Sequence, residues 1–184
     1  MSKIGIFMAD GCEEIEGLTV VDLMRRAGVE IIMISLTGQK QVTGSHGISF
    51  LADELLAETD FDSLDGIVLP GGLAGTQKLG ENETVNRVIR TFAETGKLVS
   101  AICAAPSVLG AAGILNGKKA ACYPGFEDKL TGAKICMDEV CVCGNLITSR
   151  GMGTAIPFAL AITAYLLDQA AADQLGKTII YNLK

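Results

Sequence analysis

The chain has 184 residues, 49% of them hydrophobic and 20% charged, with a net charge of −6 and a mean hydropathy of +0.39. That length suits one domain with a core large enough to need no staple, and the composition excludes disorder. The acidic balance, with Arg25–Arg26 and Lys118–Lys119 as the only adjacent basic pairs, argues against nucleic acid as a partner.

In chain order, Lys3-Ile4-Gly5-Ile6-Phe7-Met8 reads as a buried strand. A helix is predicted over 13–27, with Ile15, Leu18, Val20, Val21 and Met24 near one face and Gly28 where it should stop. Residues 29–36 and 66–69 are the next strands, the second ending at Pro70-Gly71-Gly72. A helix over 84–94 stops at Gly96, and a strand over 98–102 leads into a helix over 104–112. Residues 134–149 read as a hairpin with its turn near Gly144-Asn145. A long apolar helix over 154–168 tolerates Pro157 in its first turn, and the tail over 169–184 reads as a shorter helix with an extended end. Continuous apolar strands alternating with helices predict an α/β fold. Its mostly parallel sheet is doubly wound, covered on both faces, and carries a small antiparallel addition.

The first residues run straight into a strand-like stretch, without a charged leader and apolar segment, and no apolar run reaches the length of a membrane span. The expectation is a cytoplasmic protein without membrane contact, its six cysteines kept as free thiols. Cys136, Cys141 and Cys143 offer thiolates, but C-x4-C-x-C lacks a fourth donor nearby, so no metal is expected. Cys141 and Cys143, two apart, would share one face of the hairpin. Cys12 and Cys122 flank the expected pocket, as resolving thiols or as packing residues.

In a doubly wound sheet, ligands collect beyond the carboxyl ends of the strands. Three segments converge there: residues 9–16, 70–73 and 101–106. Cys103 falls between a strand and a helix, where a sharp turn holds a nucleophile out of the core, and Ala101, Ala104 and Ala105 are small enough to permit it. The N–H groups opening the next helix would favour thiolate and lower its pKa. The amides of Ala104 and Gly72 would form an anion-binding pair, with Gly71 and Gly72 letting the backbone approach closely. The same pattern also suits a small, buried, inert residue. Glu13, Glu14 and Glu16 fit a solvated helix start. They also fit a site in which one carboxyl turns toward the strand ends and is held protonated beside a thiolate. His46, the sole histidine, lies far upstream in Gly44-Ser45-His46-Gly47, a turn-like context; a Cys–His hydrolase would need the fold to bring it to Cys103.

Four motifs stand in order between about residues 3 and 170: Gly11-Cys12-Glu13-Glu14-Ile15-Glu16, Leu69-Pro70-Gly71-Gly72, Ala101-Ile102-Cys103-Ala104-Ala105-Pro106, and Thr148-Ser149-Arg150-Gly151-Met152-Gly153-Thr154. With Val21-Asp22-Leu23-Met24-Arg25-Arg26-Ala27-Gly28, they resemble the ThiJ/PfpI superfamily, most closely its DJ-1/YajL-like branch. The resemblance implies one flavodoxin-like domain over 1–184, a homodimer packed through the first helix, and no cofactor. It implies Cys103 as nucleophile, Glu16 as its protonated partner, an anion site from the Gly72 and Ala104 amides, a pocket that Gly71, Tyr123, His46 and Arg150 are expected to border, and a structural or dimer-related role for Arg150. Many members carry His-Pro where this chain has Tyr123-Pro124. A tyrosine hydroxyl hydrogen-bonds but shuttles protons poorly at neutral pH. His46 stands where the branch often has an arginine. The protease-like branch needs a histidine at the position of Ala104, so protease activity is not expected. The implied activity is cofactor-independent handling of a small aldehyde or reactive dicarbonyl, as in a glyoxalase III or deglycase. The alternative is a non-enzymatic oxidative-stress sensor or chaperone-like protein that uses oxidation of Cys103.

Overall fold

The structure is a computed structural model that describes residues 2–181. In chain order its elements are β1 (Lys3–Met8), α1 (Glu14–Arg26), β2 (Glu30–Ser35), β3 (Gln41–Thr43), β4 (Ser49–Leu51), β5 (Glu54–Leu55), β6 (Gly66–Leu69), α2 (Leu73–Glu81), α3 (Glu83–Thr95), β7 (Leu98–Ile102), α4 (Pro106–Ala111), β8 (Lys119–Ala120), β9 (Lys134–Ile135), β10 (Val140–Cys143), β11 (Leu146–Ser149), α5 (Ala155–Leu166) and α6 (Gln169–Thr178).

Seven strands form one sheet in the order β10-β11-β7-β6-β1-β2-β5, parallel except for the β10–β11 hairpin. Both faces are covered, which is why the strand sequences are apolar throughout. Ile4, Ile6, Met8, Ile31 and Met33 face one layer, packed against Val20 and Met24 of α1 and Phe158 and Ile162 of α5. Phe7, Ile32, Ile34, Ile67 and Leu69 face the other, against Leu79 of α2, Val85, Ile89 and Phe92 of α3, and Leu109 of α4. The strand order reverses between β1 and β6, so the carboxyl ends of β1, β6 and β7 border the crevice where such sheets hold ligands.

Helix ends follow local chemistry. The Asn82 side chain accepts from the Val85 N–H at the start of α3, and Gly96 ends that helix at a φ of 78°. Asp168 caps α6 through the Ala171 N–H. Among the described residues no helix is long and apolar enough to cross a membrane.

Besides the short strands β3, β4, β5 and β8, which the sequence did not suggest, three elements differ from expectation. The hairpin begins at Val140, not at 134, because Lys134 and Ile135 pair instead with β8 in a separate parallel ribbon. Helix α2, which contains Gly75 and Gly80, was not expected. Gly75 is required by contact, because a Cβ there would lie 2.8 Å from the Cys12 backbone. The helix predicted to start at 104 starts at Pro106, leaving residues 103–105 as a turn. The tail forms α6 as expected; the last residues of its extended end, 182–184, lie outside the described residues.

Buried Thr148 ties the segment after β8 to the sheet, its hydroxyl accepting from the Ala121 N–H at 2.8 Å. Thr148→Val keeps the shape and removes the acceptor, so it is expected to cost about 1–3 kcal/mol in urea unfolding. An unchanged midpoint would mean that Ala121 finds another partner.

Candidate active site

The site is assembled by three loop crossings at the switch point. After β1, Gly11 turns the chain with a φ of 84°, and the Glu13 N–H donates to the Gly71 carbonyl at 3.0 Å. After β6, Gly72 has a φ of 86°, and a Cβ there would collide with the Gly11 carbonyl oxygen and the Glu13 nitrogen. After β7, Cys103 turns sharply with a φ of 66°. Its N–H donates to the Ser149 carbonyl at 3.0 Å, and its carbonyl accepts from the Tyr123 N–H at 2.8 Å. The half-buried thiol is thereby pinned between β11 and the segment after β8.

Glu16, in the first turn of α1, is 1% exposed and points at this junction. Its Oε2 accepts from the Gly71 N–H at 2.9 Å, and its carboxyl hydrogen-bonds the Cys103 sulfur. Gly71 must be a glycine here, because a Cβ would lie 2.5 Å from that Oε2 and 2.6 Å from the Cys103 Cβ. Burial raises the Glu16 pKa to about 7, against the pull of the Cys103 and Gly71 hydrogen bonds. A carboxyl so placed is protonated over much of the neutral range.

The amides of Ala104 and Gly72 both hydrogen-bond the Cys103 sulfur and pull its pKa down. Burial outweighs them, and with the Glu16 charge and hydrogen bond it pushes the thiol up to about 12. The sequence led to the opposite expectation, a pKa lowered by the start of a helix. Two amides do reach the sulfur, but they act on a sulfur withdrawn from water and beside a carboxylate. Protonating Glu16 removes its charge from the sulfur's surroundings and supplies a donor to it. Glu16 and Cys103 therefore behave as a pair that holds one negative charge more readily than two.

The cavity above the sulfur, about 670 Å³, is lined by Glu13, Ser45, His46, Leu73, Tyr123 and Phe126 together with Gly72, Cys103 and Ala104. His46 reaches the rim from the turn expected for it, and its side chain is 68% exposed. It hydrogen-bonds Glu14, and with the charges of Glu13 and Glu14 this raises its pKa. Burial would raise the pKa of Glu14, but its own N–H, the N–H and ring of His46, and the Ile48 N–H hold it at about 2. Gly44 makes room for this carboxylate, which would overlap any Cβ there. Glu14 thus fastens the 44–48 turn over the start of α1, a role the sequence did not single out. Its one signal was three acidic residues where a helix start rarely needs more than one.

Among the described residues, Glu13, Glu14 and His46 are the one group of three potential metal donors within 4.8 Å of one another; the cysteines at 136, 141 and 143 do not converge in that way. The Ser45 hydroxyl lies 3.2 Å from Glu13 and Glu14 and 3.0 Å from the His46 ring, so these donors and acceptors already satisfy each other. Tyr123 lines the cavity, 50% exposed. Arg150 does not line it, because its guanidinium turns to the Met137 carbonyl at 3.3 Å. Cys12 and Cys122 are buried, and burial pushes their thiols up to about 12 and about 11, which fits packing residues.

Comparison with known proteins gives a consistent answer. The sequence model described as the DJ-1/PfpI family matches residues 2–165. The chain is 38% identical over 183 residues to Protein dj-1beta of Drosophila melanogaster, covering 98% of each. It is 33% identical over 180 residues to the glutathione-independent glyoxalase DJR-1.2 of Caenorhabditis elegans, covering 97% of this chain and 95% of that protein. Among solved structures it resembles oxidized Toxoplasma gondii DJ-1, with a TM-score of 0.95 and 32% identity over 99% of this chain and 100% of that one.

The raised pKa of Glu16 has a testable consequence for stability. An unfolded glutamate ionises near 4.5, whereas the folded one holds its proton to about 7. The folded state therefore binds more protons in that window, and Glu16's contribution, fully present below pH 4.5, is lost as pH rises through 7. From 4.5 and about 7 the loss is roughly 3 kcal/mol. Glu16→Gln carries no such proton, so its stability relative to wild type should climb between pH 4.5 and 8 in denaturant unfolding. A constant difference across that range would place Glu16 as an ordinary carboxylate.

Proposed function

The chain belongs to the DJ-1/PfpI family, and from that membership we propose that it converts small reactive dicarbonyls to hydroxyacids without a cofactor. The observation that carries this reading is the Glu16 carboxyl against the Cys103 sulfur, with the Gly72 and Ala104 amides directed at the same sulfur. One similar protein being a glutathione-independent glyoxalase supports the same chemistry.

Methylglyoxal serves as the example. The Cys103 sulfur adds to the aldehyde carbon, its proton passing to the aldehyde oxygen, and a hemithioacetal forms. The reactive form of the pair carries its one proton on sulfur, so Glu16 is already a carboxylate; it removes the hydrogen on that carbon and returns it as a proton to the neighbouring carbon. The hydroxyl proton moves from the first oxygen to the second, and the product is a thioester of lactate. Water attacks the thioester carbonyl, the C–S bond breaks, and lactate leaves as Cys103 regains its proton. Negative charge on oxygen in the additions is met by the Gly72 and Ala104 amides. A Glu16 pKa near 7 suits both halves of the proton transfer. Tyr123 at the rim offers a hydroxyl to substrate oxygens, while Ala104 leaves the sulfur without the imidazole that peptide hydrolysis needs.

Exposed Ile15 and Ile48 border a groove along α1 with Leu18, which supports a homodimer packed through that helix. A second reading, oxidative-stress sensing at Cys103, is favoured by a half-exposed sulfur beside a carboxyl able to donate to a sulfinate, and by the oxidized form of the Toxoplasma protein.

Lactate release from methylglyoxal by wild type, Cys103→Ser and Glu16→Gln, purified side by side, separates the readings. Catalysis predicts background activity for Cys103→Ser and a loss of at least about a hundredfold for Glu16→Gln. Full turnover in either variant would end this mechanism. A silent wild type whose Cys103 alone takes up oxygen from dilute peroxide would leave sensing as the function.

A further inference from the structure

Three of the six thiols lie away from the Cys103 cavity, around the hairpin at the sheet's far edge: half-buried Cys136 and Cys143, and buried Cys141. The backbone brings two of them together. Cys141 stands directly opposite Thr148 in the β10–β11 register, so their side chains share a face. The Thr148 hydroxyl accepts from the Ala121 N–H at 2.8 Å, and the neighbouring Ala120 carbonyl accepts from the Cys136 N–H at 2.9 Å. Strand β8 packs against β10 and pairs with β9, so this chain of contacts sets Cys136 beside Cys141, where burial and the neighbouring sulfur raise the Cys141 pKa. Cys136 also donates to the Asp138 carboxylate at 3.5 Å.

We propose that Cys136 and Cys141 are a dithiol site that closes to a reversible disulfide under peroxide, independently of Cys103. Only the half-exposed partner meets the oxidant. The Cys136 sulfur takes one oxygen from hydrogen peroxide to become a sulfenic acid, and one water leaves. The Cys141 sulfur then attacks that of Cys136, the S–O bond breaks, and the hydroxyl departs with the Cys141 proton as a second water. Two thiols and one peroxide give one disulfide and two waters. Reduction by a small-molecule thiol or dithiol restores both groups.

The same geometry selects the partner. Cys143 lies two residues along the strand from Cys141, roughly 6.8 Å between α-carbons. That is the far end of what a disulfide spans. Cys136 reaches Cys141 from a neighbouring segment, over a bend at 138–139 that can adjust. The bridge would enclose a loop that already touches the catalytic side of the sheet. The Ser149 hydroxyl donates to the Glu139 carbonyl at 2.6 Å, and Arg150 donates to that of Met137. Ser149 in turn holds the Cys103 N–H, so oxidation at this site acts on the segment that positions Cys103.

All three cysteines fall on one tryptic peptide, bounded by cleavage after Lys134 and after Arg150. The folded full-length protein is treated with near-stoichiometric hydrogen peroxide, alkylated, digested without reductant and weighed. The expected product is this peptide lacking two hydrogens and carrying one alkyl group, at Cys143. The same bridged peptide should form in Cys103→Ser, form without any alkyl group in Cys143→Ser, disappear in Cys136→Ser and Cys141→Ser, and revert on dithiothreitol treatment. A wild-type peptide with three alkylated thiols, after a dose that oxidises Cys103 in the same sample, would overturn the proposal. So would dependence on Cys103, or a bridge to Cys143.

Discussion

A carboxyl and a thiol share a buried corner in which two negative charges cannot be accommodated together, and most of the surrounding structure follows from keeping them there. Glu16 has almost no water around it, so its ionisation depends on what the protein provides: one amide from Gly71 and the sulfur of Cys103. Cys103 has the amides of Gly72 and Ala104. Neither set of donors is sufficient for a full charge on each group, and the pair settles on one proton between them. Reactivity at the sulfur is then governed by where that proton resides rather than by the helix that follows.

Close approach of three backbones makes this corner possible. Gly71 and Gly72 let the strand β6 exit run against the loop after β1 on one side and Cys103 on the other. The acid at 16 comes from the inward side of α1, while the acids at 13 and 14 bind the 44–48 turn. One helix start thus supplies a proton-carrying group to the interior and a clamp to the rim. The two glutamates that flank Ile15 have opposite pKa displacements because one meets a single amide and the other several donors.

The central strands and main helices were legible in the sequence because both faces of the sheet are covered and the helix stops are marked by glycines at 28 and 96. The convergence of residues 9–16, 70–73 and 103 was legible for the same reason, since strand order in such folds dictates where loops gather. Helix α2 was hidden because glycine at 75 serves a contact with Cys12 that no local pattern reveals. The start of the hairpin was misplaced because Lys134 and Ile135 are exposed in a two-residue pairing with β8, too short to leave a signal. The thiol's pKa was misjudged because burial is a property of the assembled site, not of the strand–Cys–helix pattern. Arg150 belongs to a shared motif, yet its contact with Met137 depends on a bend outside it.

The backbone of Cys103 lies at a φ of 66°, in the left-handed region, where a side chain beyond glycine costs about 1–3 kcal/mol. Glycine would sit there more comfortably, and alanine or serine would inherit the cost. Random substitution guided by folding alone would therefore drift toward removing the sulfur. A lineage that keeps cysteine at this turn is one in which losing the thiol is penalised more than the tension it imposes. Stabilising the protein by relaxing this turn would be an easy gain for an engineer and a loss of whatever the sulfur is kept for.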